Sequence, residues 1–473
     1  MLSGRSRRRR HPAAGAAVAV VAVLMIWPAV YNGYPLLYPD SMAYLRDGGG
    51  VAHALLRGPL PVSFWGRGFI YCLSILPLHW KITPWPVVGV NALVAAYVLW
   101  LVVRSIVPKR PVFAYLAVMT PLCLLTGVGW FVSYVMPDIL GPLLYLSLYL
   151  MAFAWHRLRG AERWIIAMIA WWATVAHASH LLVAAGLWVA VAIVMVSQRQ
   201  TVRRRVGSLS RMAAVLLLAA LAQLALHGYL YGQPSLNGKR PPFLMARMIA
   251  DGPARWYLQQ NWGRAPLPNC PDAAHLPHST TEFLWAANGV WQSASPQQQD
   301  DLRRREWPVV LGTCRAYPWA ELALSAGHFW RQLNTFGLKD FAPNPWTQEV
   351  FDEVMPAGRA KYMRSRQAEG RLHESCFSAV QNWTVVVSLG MIIVAAVMLG
   401  RRWPRRLVGL TCVIGFAVIA NAAVTGILSN VIDRYQGRVI WLVPFLAGML
   451  VLAASTQVFV AKRRKVMHVG SGV

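Results

Sequence analysis

The sequence predicts an all-α integral membrane protein that crosses the bilayer about ten times. Three observations predict it. Of the 473 residues, 56% are hydrophobic and 22 are Trp, with a mean hydropathy of +0.41. Apolar runs of about 20 residues recur, each long enough to cross roughly 30 Å of hydrocarbon. Six clusters of Arg and Lys close these runs: Arg5 to Arg10, Arg104 to Arg110, Arg157 to Arg163, Arg199 to Arg211, Arg401 to Arg406 and Lys462 to Lys465. Threading the chain back and forth puts all six on one side, as cytoplasmic flanks require.

The expected spans are 13–34, 86–107, 111–127, 138–156, 163–179, 181–197, 211–230, 379–400, 405–428 and 437–461, with both termini cytoplasmic. The first run, Ala13 to Val30, follows a basic head like a signal peptide. No small-x-small cleavage site follows Trp27-Pro28-Ala29-Val30-Tyr31, so it reads as a permanent span. Residues 63–80 contain Arg67 and end in Leu78-His79-Trp80-Lys81. Counting them as a span would put Arg104 to Arg110 outside. They read as an interfacial or re-entrant helix on the outer face, where Trp and Arg are at home.

The chain therefore divides into an N-terminal membrane module, 1–230, with a first outer loop at 35–85. A small, mostly helical cap follows at 231–378, and C-terminal membrane helices at 379–473. The cap's apolar spacing is helical in Glu282 to Trp291 and Trp319 to Leu333. The net charge of +28 does not indicate nucleic acid, because many of the basic residues are topological flanks. Of the six cysteines, Cys270, Cys314 and Cys376 lie in the cap, and no CxxC pair suggests zinc. A disulfide among these three is expected if the outer side is a periplasm.

The residues with chemistry gather on the face opposite the basic clusters. Tyr38-Pro39-Asp40 follows the first span, with Asp47 a little further on. A carboxylate at a membrane exit can take a proton from an attacking hydroxyl; it can also cap a helix. Pro137-Asp138 repeats the pattern in the second outer loop. His177-Ala178-Ser179-His180 forms a turn between two short spans, and its histidines suit a metal or a phosphate. Metal candidates are Asp40, Asp138, His177 and His180, with Mg or Mn the ions considered; the cofactor is otherwise unassigned.

Asp433-Arg434-Tyr435-Gln436-Gly437-Arg438 places two arginines on the outer face, against the positive-inside pattern. Guanidinium forks suit phosphate, and Tyr435 suits a sugar or polyprenyl chain. Lys239 and Arg240, in an aromatic part of the cap, are further candidates for substrate contact.

This arrangement resembles the GT-C superfamily of integral membrane glycosyltransferases, over roughly residues 1–200 and 420–450. Asp40 matches the position of the family's acidic residue in the first outer loop. Asp138 resembles a second acidic site. Arg434-Tyr435 with Pro444 resembles a late Arg-Tyr and proline pattern. The first loop lacks an Asp-Glu pair, the second lacks a DxD, and the main soluble segment lies mid-chain rather than at the C-terminus.

The resemblance implies transfer of a sugar from a polyprenyl-phosphate or polyprenyl-diphosphate donor to an acceptor hydroxyl on a glycan, lipid or protein. The reaction would invert the anomeric carbon, with Asp40 as general base, at the periplasmic face of a bacterial inner membrane. Two readings from other classes stand beside it: a lipid-linked-glycan flippase or transporter, and a noncatalytic polysaccharide-assembly protein.

Overall fold

The computed structural model describes residues 10–58, 68–263, 266–400 and 403–469. The basic residues Arg5 to Arg9, the Arg67 segment at 59–67, and Arg401 and Arg402 lie outside the described residues.

In chain order the main helices are α1 (Arg10–Met25), α2 (Pro39–Arg57), α3 (Phe69–His79), α4 (Trp85–Ile106), α5 (Pro111–Leu125), α6 (Leu140–Tyr149), α7 (Gly160–Ala176), α8 (Ala178–Ser197), α9 (Val202–Tyr231), α10 (Phe243–Asp251), α11 (Pro296–Ala316), α12 (Pro318–Asn334), α13 (Glu374–Leu399), α14 (Arg405–Leu428), α15 (Asp433–Ile440) and α16 (Leu442–Val469). No strand occurs among the described residues; one isolated parallel bridge joins Leu36 to Tyr134.

Among the described residues, eight helical stretches are long and apolar enough to cross a bilayer: Pro12–Asn32, Trp85–Ile106, Pro137–Arg157, Ala178–Ser197, Val202–Tyr231, Glu374–Leu399, Arg405–Leu428 and Asp433–Ser455. Their outward faces are apolar: α13 alone exposes Val386, Val387, Ile393, Val394 and Val397. Such a surface suits lipid rather than water, so this is a multi-pass membrane protein.

The two remaining expected spans are helical but short. α5 has 15 residues and α7 has 17, about 22 and 26 Å at 1.5 Å per residue. Pro121 lies inside α5, and the helix ends at Thr126. The Gly127 N–H then donates to Gln381 Oε1 at 2.6 Å, and a five-residue helix, Val128–Val132, resumes the path. α7 begins with charged residues. Glu162 in its first turn accepts from both Arg104 terminal nitrogens, at 2.8 and 2.6 Å.

The basic helix ends are tied to one another. Besides Arg104 and Glu162, Arg406 Nη1 donates to the Ser105 carbonyl at 2.8 Å, and Gln198 Nε2 to the Arg405 carbonyl at 3.1 Å. The opposite end is covered by residues 232–373, which form two parts. The first has its own small core, including Met245, Ile249, Phe283, Trp291 and Leu302. At its base Arg247 is buried between Asp251 and Glu321, and Asp251 also accepts from His328. The second part sends Leu338, Phe341, Phe351 and Tyr362 into the main membrane core. Among the described residues no disulfide forms, so the expected bridge is not present; Cys270 and Cys314 instead pack against the small core.

α2 and α3, in the first outer loop, pack closely. A Cβ on Gly48 would lie 2.6 Å from the Cys72 carbonyl oxygen, so only glycine permits the approach. Gly33, at φ +83°, turns the chain out of the first span.

Candidate functional site

Two loops and one helix start converge at the end of the bundle opposite the basic clusters. The first loop is fastened to the second by backbone. Leu36 N–H donates to the Ser133 carbonyl at 2.9 Å, and Val135 N–H returns to the Leu36 carbonyl at 3.1 Å. This pairing carries Asp40, just beyond it, toward Asp138, just beyond Val135.

Two glutamines act as single-residue strands. Gln367 accepts from Leu37 N–H at 3.0 Å and donates to the Leu37 carbonyl at 2.7 Å. Gln332 does the same for Ile432, at 3.0 and 2.9 Å. A primary amide offers a donor and an acceptor in the geometry of a peptide. Each glutamine therefore fixes a residue leading into a helix that carries a candidate site residue: Leu37 before Asp40, and Ile432 before Arg434.

Capping of α2 does not fall to Asp40. Ser41 Oγ accepts from Tyr38 N–H at 3.0 Å. Asp40 sits in the first turn, where the helix dipole favours a carboxylate, with Arg434 Nη2 3.6 Å from its Oδ2. Arg438 Nη1 stands 3.5 Å from Asp138 Oδ1. The short amphipathic helix α15 thus places both arginines, one turn apart, against the two Pro-Asp carboxylates. Their exposures differ: the Asp40 side chain is 28% accessible, that of Asp138 only 4%.

Both guanidiniums are buried. Arg434 lies 4.2 Å over the Tyr38 ring and 5.4 Å from the Tyr435 ring; Arg438 is 5.7 Å from Tyr435. Arg438 Nη2 also donates to Asn421 Oδ1 at 3.0 Å and Ser179 Oγ at 3.2 Å. Several polar atoms here have no hydrogen-bond partner: Arg434 Nε and Nη1, Arg438 Nε, Asp138 Oδ1 and the Tyr134 hydroxyl. Buried polar groups are normally satisfied, so this concentration marks a place built for something polar.

Sequence reasoning missed a third carboxylate. Asp340 accepts from Arg434 N–H at 2.7 Å. Burial raises its pKa above the usual carboxylate value, and nearby Asp433 and Asp138 push the same way, outweighing the opposing Arg434. Burial likewise pushes the Tyr38 hydroxyl up to about 12, against the pull of Arg434. Asp340 lies in Leu338-Lys339-Asp340-Phe341, in the part of the cap that folds into the membrane core. Its local sequence carries no signal beyond a turn.

The histidine turn lies beside this centre. His177 Nδ1 is 2.8 Å from Ser179 Oγ, and Ser179 in turn accepts from Arg438. The His177 and His180 rings are 5.3 Å apart. His180 is fully buried, with Nδ1 2.7 Å from the Ala173 carbonyl. The remaining candidates are placed elsewhere. Asp47 pairs with Arg46 at 3.1 Å. Arg240 grips Glu306 at 2.8 Å, and Lys239 sits 3.7 Å from Asp300 and 5.3 Å from the Tyr231 ring centre.

Among the described residues no three His, Cys, Asp or Glu side chains converge so as to hold a metal ion. Asp40 and Asp138 face arginines and the histidines face a serine and a carbonyl, so the proposed metal candidates do not form a ligand set there. No protein family, curated protein or solved structure matches this chain.

Proposed function

We propose that this chain is a membrane glycosyltransferase of GT-C type, working at the end of the bundle that holds Asp40 and Arg434. The donor is a sugar on a polyprenyl phosphate or diphosphate, entering from the bilayer; the acceptor is a hydroxyl on a glycan, lipid or protein. The proposed setting is a bacterial inner membrane crossed ten times. α5 with Val128–Val132, and α7, supply the two crossings beyond the eight long helices, and the site faces the periplasm.

One observation carries this reading. A buried arginine with two unpartnered N–H groups stands 3.6 Å from a partly accessible carboxylate. The arginine suits a phosphate that gains charge as it leaves; the carboxylate suits a hydroxyl that must lose its proton. In the proposed step the acceptor oxygen attacks the anomeric carbon and the carbon–oxygen bond to phosphate breaks. The polyprenyl phosphate departs with the electron pair, held by Arg434 and Arg438. The acceptor proton passes to Asp40, and displacement from one side inverts the centre.

Asp138, almost wholly enclosed, holds Arg438 in place rather than meeting substrate. Tyr38 and Tyr435 flank Arg434 as stacking surfaces for a sugar or prenyl unit. No step is drawn through a metal.

The test is to supply the full-length protein in liposomes with a panel of radiolabelled polyprenyl-phosphate sugars and acceptors, and to read the product's anomeric configuration by NMR. An inverted product supports the reading. A retained configuration removes direct displacement, and no donor consumption by folded protein removes the transferase.

A further inference from the structure

A cavity of about 450 Å³ opens at the other end of the bundle, where Pro137–Arg157 meets the start of α9. Its walls include Trp155, His156, Arg203, Arg204, Ser208 and Arg211. A break in helical winding builds it. α6 ends in a π-helical turn, Leu150–Ala154, followed by the 3-10 turn Trp155–Arg157. A π turn leaves carbonyls outside the α-helical ladder. Here Met151 accepts from Arg211 Nη2 at 3.3 Å, and Ala152 accepts from Ser208 Oγ at 3.2 Å.

The charge in this cavity is one-sided. No acidic side chain lines it. The Trp155 ring holds Arg211 at 4.9 Å and Arg163 at 5.6 Å. Glu162, the acid in the first turn of α7, is taken by Arg104 and the Arg159 N–H. The Nε atom of Arg211, in the cavity wall, is buried without a hydrogen-bond partner. Arg203 and Arg204, like Lys109 and Arg110 at the same end, are exposed, whereas Arg211 is half-buried in the cavity wall. Two guanidiniums against one aromatic ring, with Arg203 and Arg204 in the same wall and no acid in the lining, form a set that an anion would complete.

We infer that this cavity binds a phosphate group, carried either by an anionic lipid headgroup or by a soluble phosphate. The volume lies in the range of small-molecule sites, about 300–1,000 Å³, which leaves room for what the phosphate is attached to. The site is separate from the Asp40 centre and stands whether or not that centre transfers sugar.

The test uses purified full-length protein in mixed micelles. Thermal midpoints are recorded while titrating phosphatidylglycerol, phosphatidylcholine and inorganic phosphate, for wild type, Arg203→Gln/Arg204→Gln, and Lys109→Gln/Arg110→Gln. Both pairs remove the same charge from exposed positions, so folding is not at stake. The expected result is a saturable rise with phosphatidylglycerol, with phosphate, or with both, and none with phosphatidylcholine. The cavity pair should weaken it about a hundredfold, roughly tenfold for each charge-assisted hydrogen bond lost, and the control pair should leave it intact. A response to the lipid alone assigns a headgroup; a response to phosphate alone assigns a soluble anion. Equal weakening by both pairs, or no saturable response in wild type, overturns the site.

Discussion

The two ends of this bundle are both rich in arginine and use it in opposite ways. At one end Arg434 and Arg438 are buried against Asp40, Asp138 and Asp340. At the other, Arg203, Arg204 and Arg211 line a cavity that contains no acid. The comparison shows that arginine content alone says little about a membrane protein. A guanidinium facing a carboxylate is held in place and leaves only its spare N–H groups for a ligand. A guanidinium among other guanidiniums has all its charge to offer, and its ligand sets how stable the cluster is. The first arrangement suits a reaction centre that must be ordered before substrate arrives; the second suits recognition of an anion.

The largest contrast is expected from Asp40→Asn. Removing a general base lowers the transfer rate by about 10²- to 10⁴-fold, while the protein stays folded with at most a modest fall in thermal midpoint, because Asp40 is partly accessible and Asn keeps its shape beside Arg434. Unfolding of that variant would make Asp40 a structural residue and erase the distinction between the two ends.

Arg438→Met comes next, measured by thermal unfolding in detergent. It strands the Asp138 carboxylate in an almost closed site, a loss of about 3–5 kcal/mol. Adding Asp138→Asn should recover much of that stability without recovering transfer. Recovery of transfer would mean that Arg438 only offsets Asp138.

Gln367→Ala removes the amide that pairs with Leu37 and also donates to the Phe341 carbonyl at 3.0 Å. At about 1 kcal/mol for each bond, stability should fall modestly. If the clamp positions Asp40, kcat should drop with little change in KM. An unchanged kcat would reduce Gln367 to a packing residue.

The smallest effect concerns pH. Burial raises the folded pKa of Asp340 above its unfolded value, so the folded state binds more protons between the two. Stability from this group is therefore greatest below the ordinary carboxylate value, falls as pH rises through that window, and is level above the folded pKa. Asp340→Asn should flatten this part of the profile and raise the midpoint at neutral pH, as read by unfolding across a pH series. A lower midpoint at neutral pH would mean that the charged carboxylate stabilises Arg434 more than burial opposes it.

Much of this layout was legible in the chain. The repeated Pro-Asp pairs and the two arginines out of pattern pointed to Asp40, Asp138, Arg434 and Arg438, and the structure brings these four together. The signals were local: Asp40, Asp138 and Arg434 each sit in the first turn of a helix, and Arg438 lies one turn on from Arg434. Gln332, Gln367 and Asp340 were not legible. Their partners are 100, 330 and 94 residues away, and nothing in the surrounding sequence marks an amide as a strand mimic. The acids that pair with Lys239 and Arg240, Asp300 and Glu306, lie in a distant helix, so no local signal marked those pairings. Hydropathy marked the apolar stretches of α5 and α7 but not their shortness, because an apolar average does not register the break at Thr126 or the charged first turn at Glu162.

The most direct test compares sugar transfer in liposomes by wild type, Asp40→Asn and Arg203→Gln/Arg204→Gln, using the same radiolabelled polyprenyl-phosphate donors. The account predicts turnover by wild type, near-complete loss in Asp40→Asn and retention in the arginine pair. Folded Asp40→Asn that transfers at the wild-type rate would contradict it.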